Sequence, residues 1–261
     1  MSKLPDLSII IVSWNVKDWL KSCLDSIYKY AGDLAPEVIV VDNQSHDRTA
    51  EMVRLNFAQV KLMTNEKNVG YATANNQGYA VSKGEYILFL NPDTLILPDT
   101  LATMIDFMAG NEKIGIAGCQ HLNPDQTLQP SVRRFPTLSA IFLIISKLAK
   151  VFPNLPPLNR YLARDFDYHR LQPVDQVAGS FFLCRRAMLQ QIGAYDENFF
   201  TWFEEVDLCR RAQKAGWQVW YNPAAQIIHH GGRSFKQQLV YKNQKNFIKS
   251  AWHYFRKSGL R

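Results

Sequence analysis

Short unbroken apolar runs alternate along the chain with longer segments in which apolar residues recur every three or four positions. Leu7–Ser13 (LSIIIVS), Glu37–Val41 (EVIVV), Val60–Met63, Tyr86–Leu90 (YILFL) and Ile114–Gly118 (IGIAG) are of the first kind. Runs this short, without apolar–polar alternation, predict strands covered on both faces. Between the first two, Val16–Tyr30 carries Trp19, Leu20, Cys23, Leu24, Ile27 and Tyr28 at helical spacing, and Gly32 follows as a stop. Further helices are predicted after Ser45-His46-Asp47, where Ala50, Val53 and Leu55 recur, within Asn68–Ser82 behind a Gly/Asn-marked loop, and over Leu101–Met108. This alternation predicts an α/β fold: a Rossmann-like, mostly parallel sheet with helices on both faces.

Beyond residue 120 the pattern changes. The stretch 123–136 is polar and contains Arg133-Arg134; Leu138–Phe152 is apolar except for Lys147 and Lys150, and Pro153, Pro156 and Pro157 break it. Val174–Cys184, Trp217–Tyr221 and Gln226–His229 predict strands, Glu204–Ala215 a helix, and Phe235–Phe255 a basic helix bearing aromatics. No linker is long enough to separate independent domains. The expected organisation is one domain over 1–234, with halves of about 1–120 and 121–234, and a basic C-terminal helix over 235–261.

Composition narrows the function classes. A hydrophobic share of 47% with 20% charged residues is that of a globular protein. The four cysteines are scattered without a CxxC pair, which signals neither a zinc site nor a disulfide framework and fits reduced thiols in the cytoplasm. Leu7–Val12 is too short for a secretory signal, and no window approaches 18 uninterrupted apolar residues. The net charge of +7 is a property of the tail: Arg233–Arg261 holds eight Lys/Arg and no acid. No DNA- or RNA-binding motif accompanies it, so nucleic acid is not an expected partner.

Three predicted strands end in polar groups: Ser13-Trp14-Asn15, Asp42-Asn43 and Asn91-Pro92-Asp93. In a parallel sheet these lie along the one edge where ligands bind. Pro92 stops its strand, which leaves Asp93 facing either a ligand or the next helix, as its cap. No GxGxxG follows the first strand and no GxxxxGK[ST] exists, so dinucleotide and P-loop sites are excluded. In Phe199–Arg211 (FFTWFEEVDLCRR), Glu204 and Asp207 are i,i+3 neighbours while Glu205 points about 100° away. An acidic first turn favoured by the helix dipole is the structural alternative to a catalytic carboxylate. In His229-His230, strand alternation puts the two rings on opposite faces.

The motifs IIIVSWN, VVDNQSHDRT, NVGYATANNQG, FLNPDT, FEEVDLCRR and HHGGRS, in that order from about Leu7 to Ser234, resemble family 2 glycosyltransferases of the GT-A fold, most of all the bacterial rhamnosyltransferase-type branch. The resemblance implies a nucleotide-sugar half (1–120) and an acceptor half (121–234). It assigns Asp42 to the pyrimidine base, Ser13 and Asn15 to the nucleoside, and Asn68, Gly70 and Asn75 to the ribose and diphosphate. Asn91-Pro92-Asp93 stands at the family's DxD motif, with Asn91 in place of the first acid. Asp93 and His229 then become ligands of a divalent metal, Mg²⁺ or Mn²⁺. Glu205 takes the place of the catalytic base, with Glu204 second and Asp207 holding the helix or the acceptor loop.

The implied activity is inverting transfer from a dTDP- or UDP-linked sugar, dTDP-rhamnose being favoured, to a saccharide or lipid-linked acceptor of the cell envelope. The implied location is the cytoplasm, at the inner face of the membrane; 235–261 reads either as a peripheral membrane contact or as a solvated basic face, and 138–152 either as an interfacial helix with Lys147 and Lys150 snorkelling or as a core helix. Loss of the first DxD acid leaves a second reading open, a non-catalytic carbohydrate- or nucleotide-binding module of the same fold.

Overall fold

A computed structural model of the chain describes residues 6–231 and 240–259. The predicted helix start at Phe235, and Gly232 of the His-Gly motif, lie outside the described residues. Strands β1 (Leu7–Ser13), β2 (Glu37–Asp42), β3 (Lys61–Thr64) and β4 (Tyr86–Leu90) alternate with helices α1 (Lys17–Tyr30), α2 (Thr49–Asn56) and α3 (Tyr71–Val81). Then come β5 (Thr94–Ile96), α4 (Thr100–Ala109), β6 (Ile114–Leu122), β7 (Leu128–Gln129) and β8 (Val132–Arg133). The second half holds α5 (Leu138–Ile145), α6 (Leu148–Val151), α7 (Pro156–Tyr161), β9 (Gln172–Pro173), β10 (Gln176–Val177), β11 (Phe181–Arg185), α8 (Arg186–Ile192), α9 (Glu204–Lys214), β12 (Gln218–His229) and α10 (Val240–Ser258).

The main path of the central sheet runs β3-β2-β1-β4-β11-β6-β12-β5. Its first four strands are parallel, as the unbroken apolar runs predict. The second half is mixed: β11 is antiparallel to both β4 and β6, and β5 is antiparallel to β12. Two expectations shift here. The stretch predicted as one strand over 174–184 is β10 and β11 separated by a turn at Ala178–Ser180. The strands predicted at 217–221 and 226–229 are one strand, β12, with an irregularity between Asn222 and Gln226. Pro223 interrupts the ladder there, and Asn222 Oδ1 accepts the Ala224 N–H (3.0 Å) in its place.

Both faces of the sheet are covered. Leu7, Ile9 and Ile11 pack with Leu20, Leu24 and Ile27 of α1 and Leu101, Met104 and Met108 of α4. Ile10 and Val12 pack on the other face with Ala72 and Ala74 of α3 and Leu208, Cys209 and Ala212 of α9. A third cluster joins α5 through Ile141, the loop before α9 through Phe199 and Phe203, and α10 through Ala251, Tyr254 and Phe255. The aromatic stripe of the C-terminal helix therefore serves largely as packing surface. All four cysteines are buried and unpaired.

A charged cluster fastens α10 to this body. Lys257 Nζ donates to Asp196 (2.7 Å) and to Asp207 (2.9 Å), His253 meets Asp196 at 3.0 Å, and Arg211 Nε donates to Asp207 at 2.7 Å. Asp207 thus holds the helix, as the sequence suggests. Burial pushes the Asp196 carboxyl up, but bonds from Lys257, His253 and Asn198 outweigh it and hold the group well below the usual range. Asp196→Ala is expected to lower stability by about 2 kcal/mol, since charge-assisted bonds are lost. Urea unfolding monitored by circular dichroism checks it.

Candidate active site

A cavity of about 500 Å³ opens where the first, second and fourth strands end, and its walls include Trp14, Asn43, Asn91, Asp93, Arg133, Ser180, Glu204, Glu205 and His229. Eight buried side-chain nitrogen or oxygen atoms lack a hydrogen-bond partner among the described residues. Six of them belong to residues singled out from sequence: Ser13 Oγ, Asp42 Oδ1, Asn75 Oδ1, Glu204 Oε2, Glu205 Oε2 and His229 Nε2. Three of the six, on Glu204, Glu205 and His229, belong to residues that line the cavity; buried polar atoms in folded proteins are nearly always paired, so these three mark it as a place where something else binds.

One corner is formed by Asp93 and His229. Asp93 is followed by β5, not by a helix, which removes its reading as a cap. Strand β12 lies against β5 with His229 opposite Thr94, and His230 N donates to Asp93 O at 3.0 Å. Gln129 fixes the His229 ring. Its Nε2 donates to Asn123 Oδ1 (2.8 Å) and His229 O (3.1 Å), so its Oε1 faces His229 Nδ1 at 2.7 Å. Nδ1 must then carry a hydrogen, and in the neutral ring Nε2 keeps the lone pair. That atom stands 3.4 Å from Asp93 Oδ1 without a hydrogen bond. A lone pair facing a carboxylate oxygen is an arrangement a cation satisfies. His230 turns the other way and packs on Trp19, ring centroids 4.3 Å apart.

The opposite wall carries Glu204 and Glu205 at the start of α9. Trp202 (φ 64°) and Phe203 (φ 69°) are both left-handed immediately before them. Consecutive bulky residues in that region are strained, and strain of this kind gathers at functional sites. Phe203 is held by Phe247 and Tyr254, at centroid distances of 5.4 and 5.5 Å. Burial raises the carboxyl pKa of both glutamates; Glu205 pushes Glu204 further up, whereas Arg133 pulls Glu205 back down. One proton is therefore favoured on Glu204, and Glu205 is the member of the pair that ionises.

Between these walls, the Tyr71 hydroxyl lies 3.3 Å from both Asn91 Oδ1 and Gly179 O. A Cβ on Gly179 would meet Glu205 at 3.9 Å, so a single ring links the Asn-Pro-Asp turn to the carboxylate wall.

The nucleotide-side residues divide into two groups. Asn68 and Gly70 line the cavity; Asn68 Oδ1 accepts from Gly70 N (3.0 Å) and Asn43 Nδ2 (2.9 Å). Gly70 (φ 91°) sits where a Cβ would come within 2.8 Å of Phe200, and Tyr71 N donates to Phe200 O (2.8 Å). Ser13, Asn15, Asp42 and Asn75 stand behind the lining. Ser13 and Asp42 are register partners on β1 and β2, and burial raises the Asp42 carboxyl despite bonds from Ser45. Asn15 Oδ1 accepts His46 N (2.7 Å), tying the two strand-end loops together. Asn75 Nδ2 bonds the Tyr71 carbonyl within its own helix (3.0 Å).

Sequence reasoning missed several members. Asn43 stands out in the sequence only as the neighbour of Asp42, yet its amide bonds Asn65, Asn68, Val69 and Gly70 and shapes that whole loop. Gln129 lies in a two-residue strand of a polar stretch, where no pattern marks it. Ser180 and His121 form a buried pair. His121 Nδ1 donates to Cys119 O (3.0 Å), so Nε2 accepts the Ser180 hydroxyl (2.7 Å). Burial and the neighbouring His229 push His121 down to about 3, which keeps it neutral. The Ser180 proton is thereby committed, and its lone pairs remain for the cavity.

The sequence profile of the family described as glycosyl transferase family 2 matches residues 8–193. The chain belongs to that family. It is 28% identical over 239 residues to an N-acetylglucosaminyl-diphospho-decaprenol L-rhamnosyltransferase of Mycobacterium tuberculosis, covering 87% of this chain and 77% of that one. It is 29% identical over 238 residues to the rhamnosyltransferase WbbL of Escherichia coli K12, covering 87% and 85%. The mannosyltransferase PcManGT of Pyrobaculum calidifontis, solved with GDP-mannose and Mn²⁺, superposes with a TM-score of 0.64 at 18% identity. That match takes in 98% of this chain but 65% of the other, so the chain spans a little under two thirds of it. The mixed α/β fold is that of GT-A glycosyltransferases, as the sequence motifs imply.

With Glu205 as the base that the motif order implies, its proton must be lost before transfer, and since burial raises its pKa, activity is expected to fall as pH drops through a value above that of an ordinary glutamate. The acid limb of a log(kcat/KM) profile measures it, and Arg133→Met should move that limb higher still.

Proposed function

We propose that the enzyme is an inverting glycosyltransferase of cell-envelope glycan synthesis. In this reading it moves a sugar, rhamnose foremost, from a dTDP- or UDP-linked donor to a saccharide or lipid-linked acceptor. The observation that carries the proposal is the paired geometry of the cavity: an Asp93–His229 corner on one side and a buried glutamate pair, whose proton sits on Glu204, on the other. Support for the sugar comes from the names of the two rhamnosyltransferase relatives. Support for a pyrimidine nucleotide is the unpartnered Oδ1 of Asp42 with Ser13 Oγ beside it, a buried acceptor suited to a base N–H.

In the proposed reaction the acceptor hydroxyl enters against the α9 wall. Glu205 takes its proton as the oxygen attacks the anomeric carbon from the face opposite the departing diphosphate. Glu204, protonated and deeper, keeps the second charge out of the site. Phe200 and Trp202 exclude water from the reacting carbon. Arg133 lies on the same wall and counters the charge of Glu205.

Asp93 and His229 Nε2 would hold a divalent cation, which would neutralise charge on the leaving diphosphate. The donor set fits Mn²⁺ or Mg²⁺: an oxygen and an imidazole from the protein, with phosphate and water completing the shell. Asn91 contributes no charge to this corner, so affinity in the absence of donor is expected to be weak. The non-catalytic reading is not favoured, since a pure binding module has no use for two buried, adjacent glutamates with raised carboxyl pKa values.

Glu205→Gln is expected to reduce transfer by about 10²–10⁴-fold while leaving nucleotide affinity within a factor of two or three. Glu204→Gln is expected to cost far less. Normal turnover by Glu205→Gln would rule out the base assignment. Asp93→Ala should abolish the Mn²⁺-dependent part of donor binding seen by calorimetry. Gln129→Leu, which frees the His229 ring, should weaken it by about 10-fold or more.

A further inference from the structure

Three candidates outside the reaction itself are the Ser180–His121 pair, the buried cysteines and the surface made by α5, α6 and α10. The first belongs to the cavity already described. The cysteines are sealed in the core, and burial raises each of their thiol pKa values, so they carry no accessible chemistry. The third is different.

Most of the large apolar side chains left in solvent lie in two places. Leu138 and Phe142 (64% exposed) on α5 are followed by Val151 (68%) and Phe152 (55%) at α6. Ile248 and Trp252 (62%) project from α10, which contacts α5 directly. The exposure is selective. On α5, Ala140 and Ile141 face the interior, and on α10, Ala251, Tyr254 and Phe255 do. Each helix thus spends one apolar face on the core and keeps a second for something else.

The charges around these faces have one sign. Residues 126–164 contain no Asp or Glu, and neither do residues 208–261. Lys147 and Lys150 are exposed beside the α5–α6 face, as are Lys245 and Lys249 beside the α10 face. Arg256 lies over the Trp252 ring at 4.8 Å. Apolar side chains rimmed by lysines with long aliphatic stems match a bilayer surface carrying anionic headgroups. No helix among the described residues is long and apolar enough to cross a membrane, so the match is to its surface. The location also fits: Ile144 of α5 and Phe247 of α10 line the cavity, so the two helices that carry the patch also form part of its wall.

We propose that the α5–α6 surface and the outward face of α10 form one docking surface for an anionic lipid bilayer, which holds the cavity mouth at the headgroup level. This deepens the lipid-linked acceptor reading above and rests on it only for the benefit gained. The bilayer would receive Phe142, Val151, Phe152 and Trp252, and the lysines would meet lipid phosphates.

The test uses the full chain with vesicles of phosphatidylcholine alone or mixed with phosphatidylglycerol. Co-sedimentation is expected with the mixed vesicles, falling steeply as salt is raised. Phe142→Ser/Phe152→Ser and, separately, Lys147→Glu/Lys150→Glu should each reduce bound protein by about ten-fold or more. All four residues are exposed, so these variants retain the fold. Nucleoside diphosphate release with a water-soluble acceptor should be unchanged in both. Equal sedimentation by wild type and variants, or none by wild type at low salt, overturns the proposal. So does light scattering that shows a dimer lost in Phe142→Ser/Phe152→Ser, because a second copy would then cover the patch. Vesicle binding without nucleoside diphosphate release from any donor would instead retain the docking surface and remove the transferase reading.

Discussion

The antiparallel insertion of β11 between β4 and β6 is the constraint on which the rest hangs. It sets Phe181 opposite Leu90, so Ser180 O accepts the Asn91 N–H at 3.1 Å, and the turn bearing Asp93 is pinned from the side. The same strand start leaves Gly179 between Tyr71 and Glu205. A parallel strand there would need a crossover covering the edge where the cavity opens. The antiparallel strand reaches the sheet from the opposite end and brings the second half of the chain to the carboxyl ends of the first.

The first half was legible because each element there obeys one local rule. Buried parallel strands are continuous apolar runs, and α1 and α4 show their apolar stripe at regular spacing. The residues proposed for the site stand out only through motif order: nothing about Glu204 or Glu205 alone distinguishes a catalytic acid from an acidic first turn. What escaped was non-local. The role of Gln129 depends on His229, one hundred positions away in sequence. The short strand β5 is three residues long and has no pattern of its own; it exists because β12 pairs with it. Asn43 looks like any strand-end polar residue until the loop it organises is folded around it.

The cavity is also where the fold gives up stability. Two neighbouring carboxyl groups are buried together, two bulky residues are left-handed before them, and several polar atoms go unpaired. Each arrangement costs on the order of one to a few kcal/mol against a relaxed alternative. The third apolar cluster and the Asp196–Lys257–Asp207 bridge offset this by clamping the strained loop between α5, α9 and α10. The C-terminal helix is thus one of the elements that hold the glutamates in place, whatever its outer face contacts.

The pairing of β5 with β12 bears on the order of assembly. Strands β1 to β4 can join by the time residue 90 has left the ribosome, yet among the described residues β5 has no neighbour in the sheet other than β12. The segment carrying Asp93 must wait for more than a hundred further residues before it gains its place. His229, the other half of that corner, arrives on the very strand that supplies the missing edge. A nascent chain therefore has no half-built Asp93–His229 corner: strand β12 supplies the neighbour of β5 and the second residue of that corner in one event.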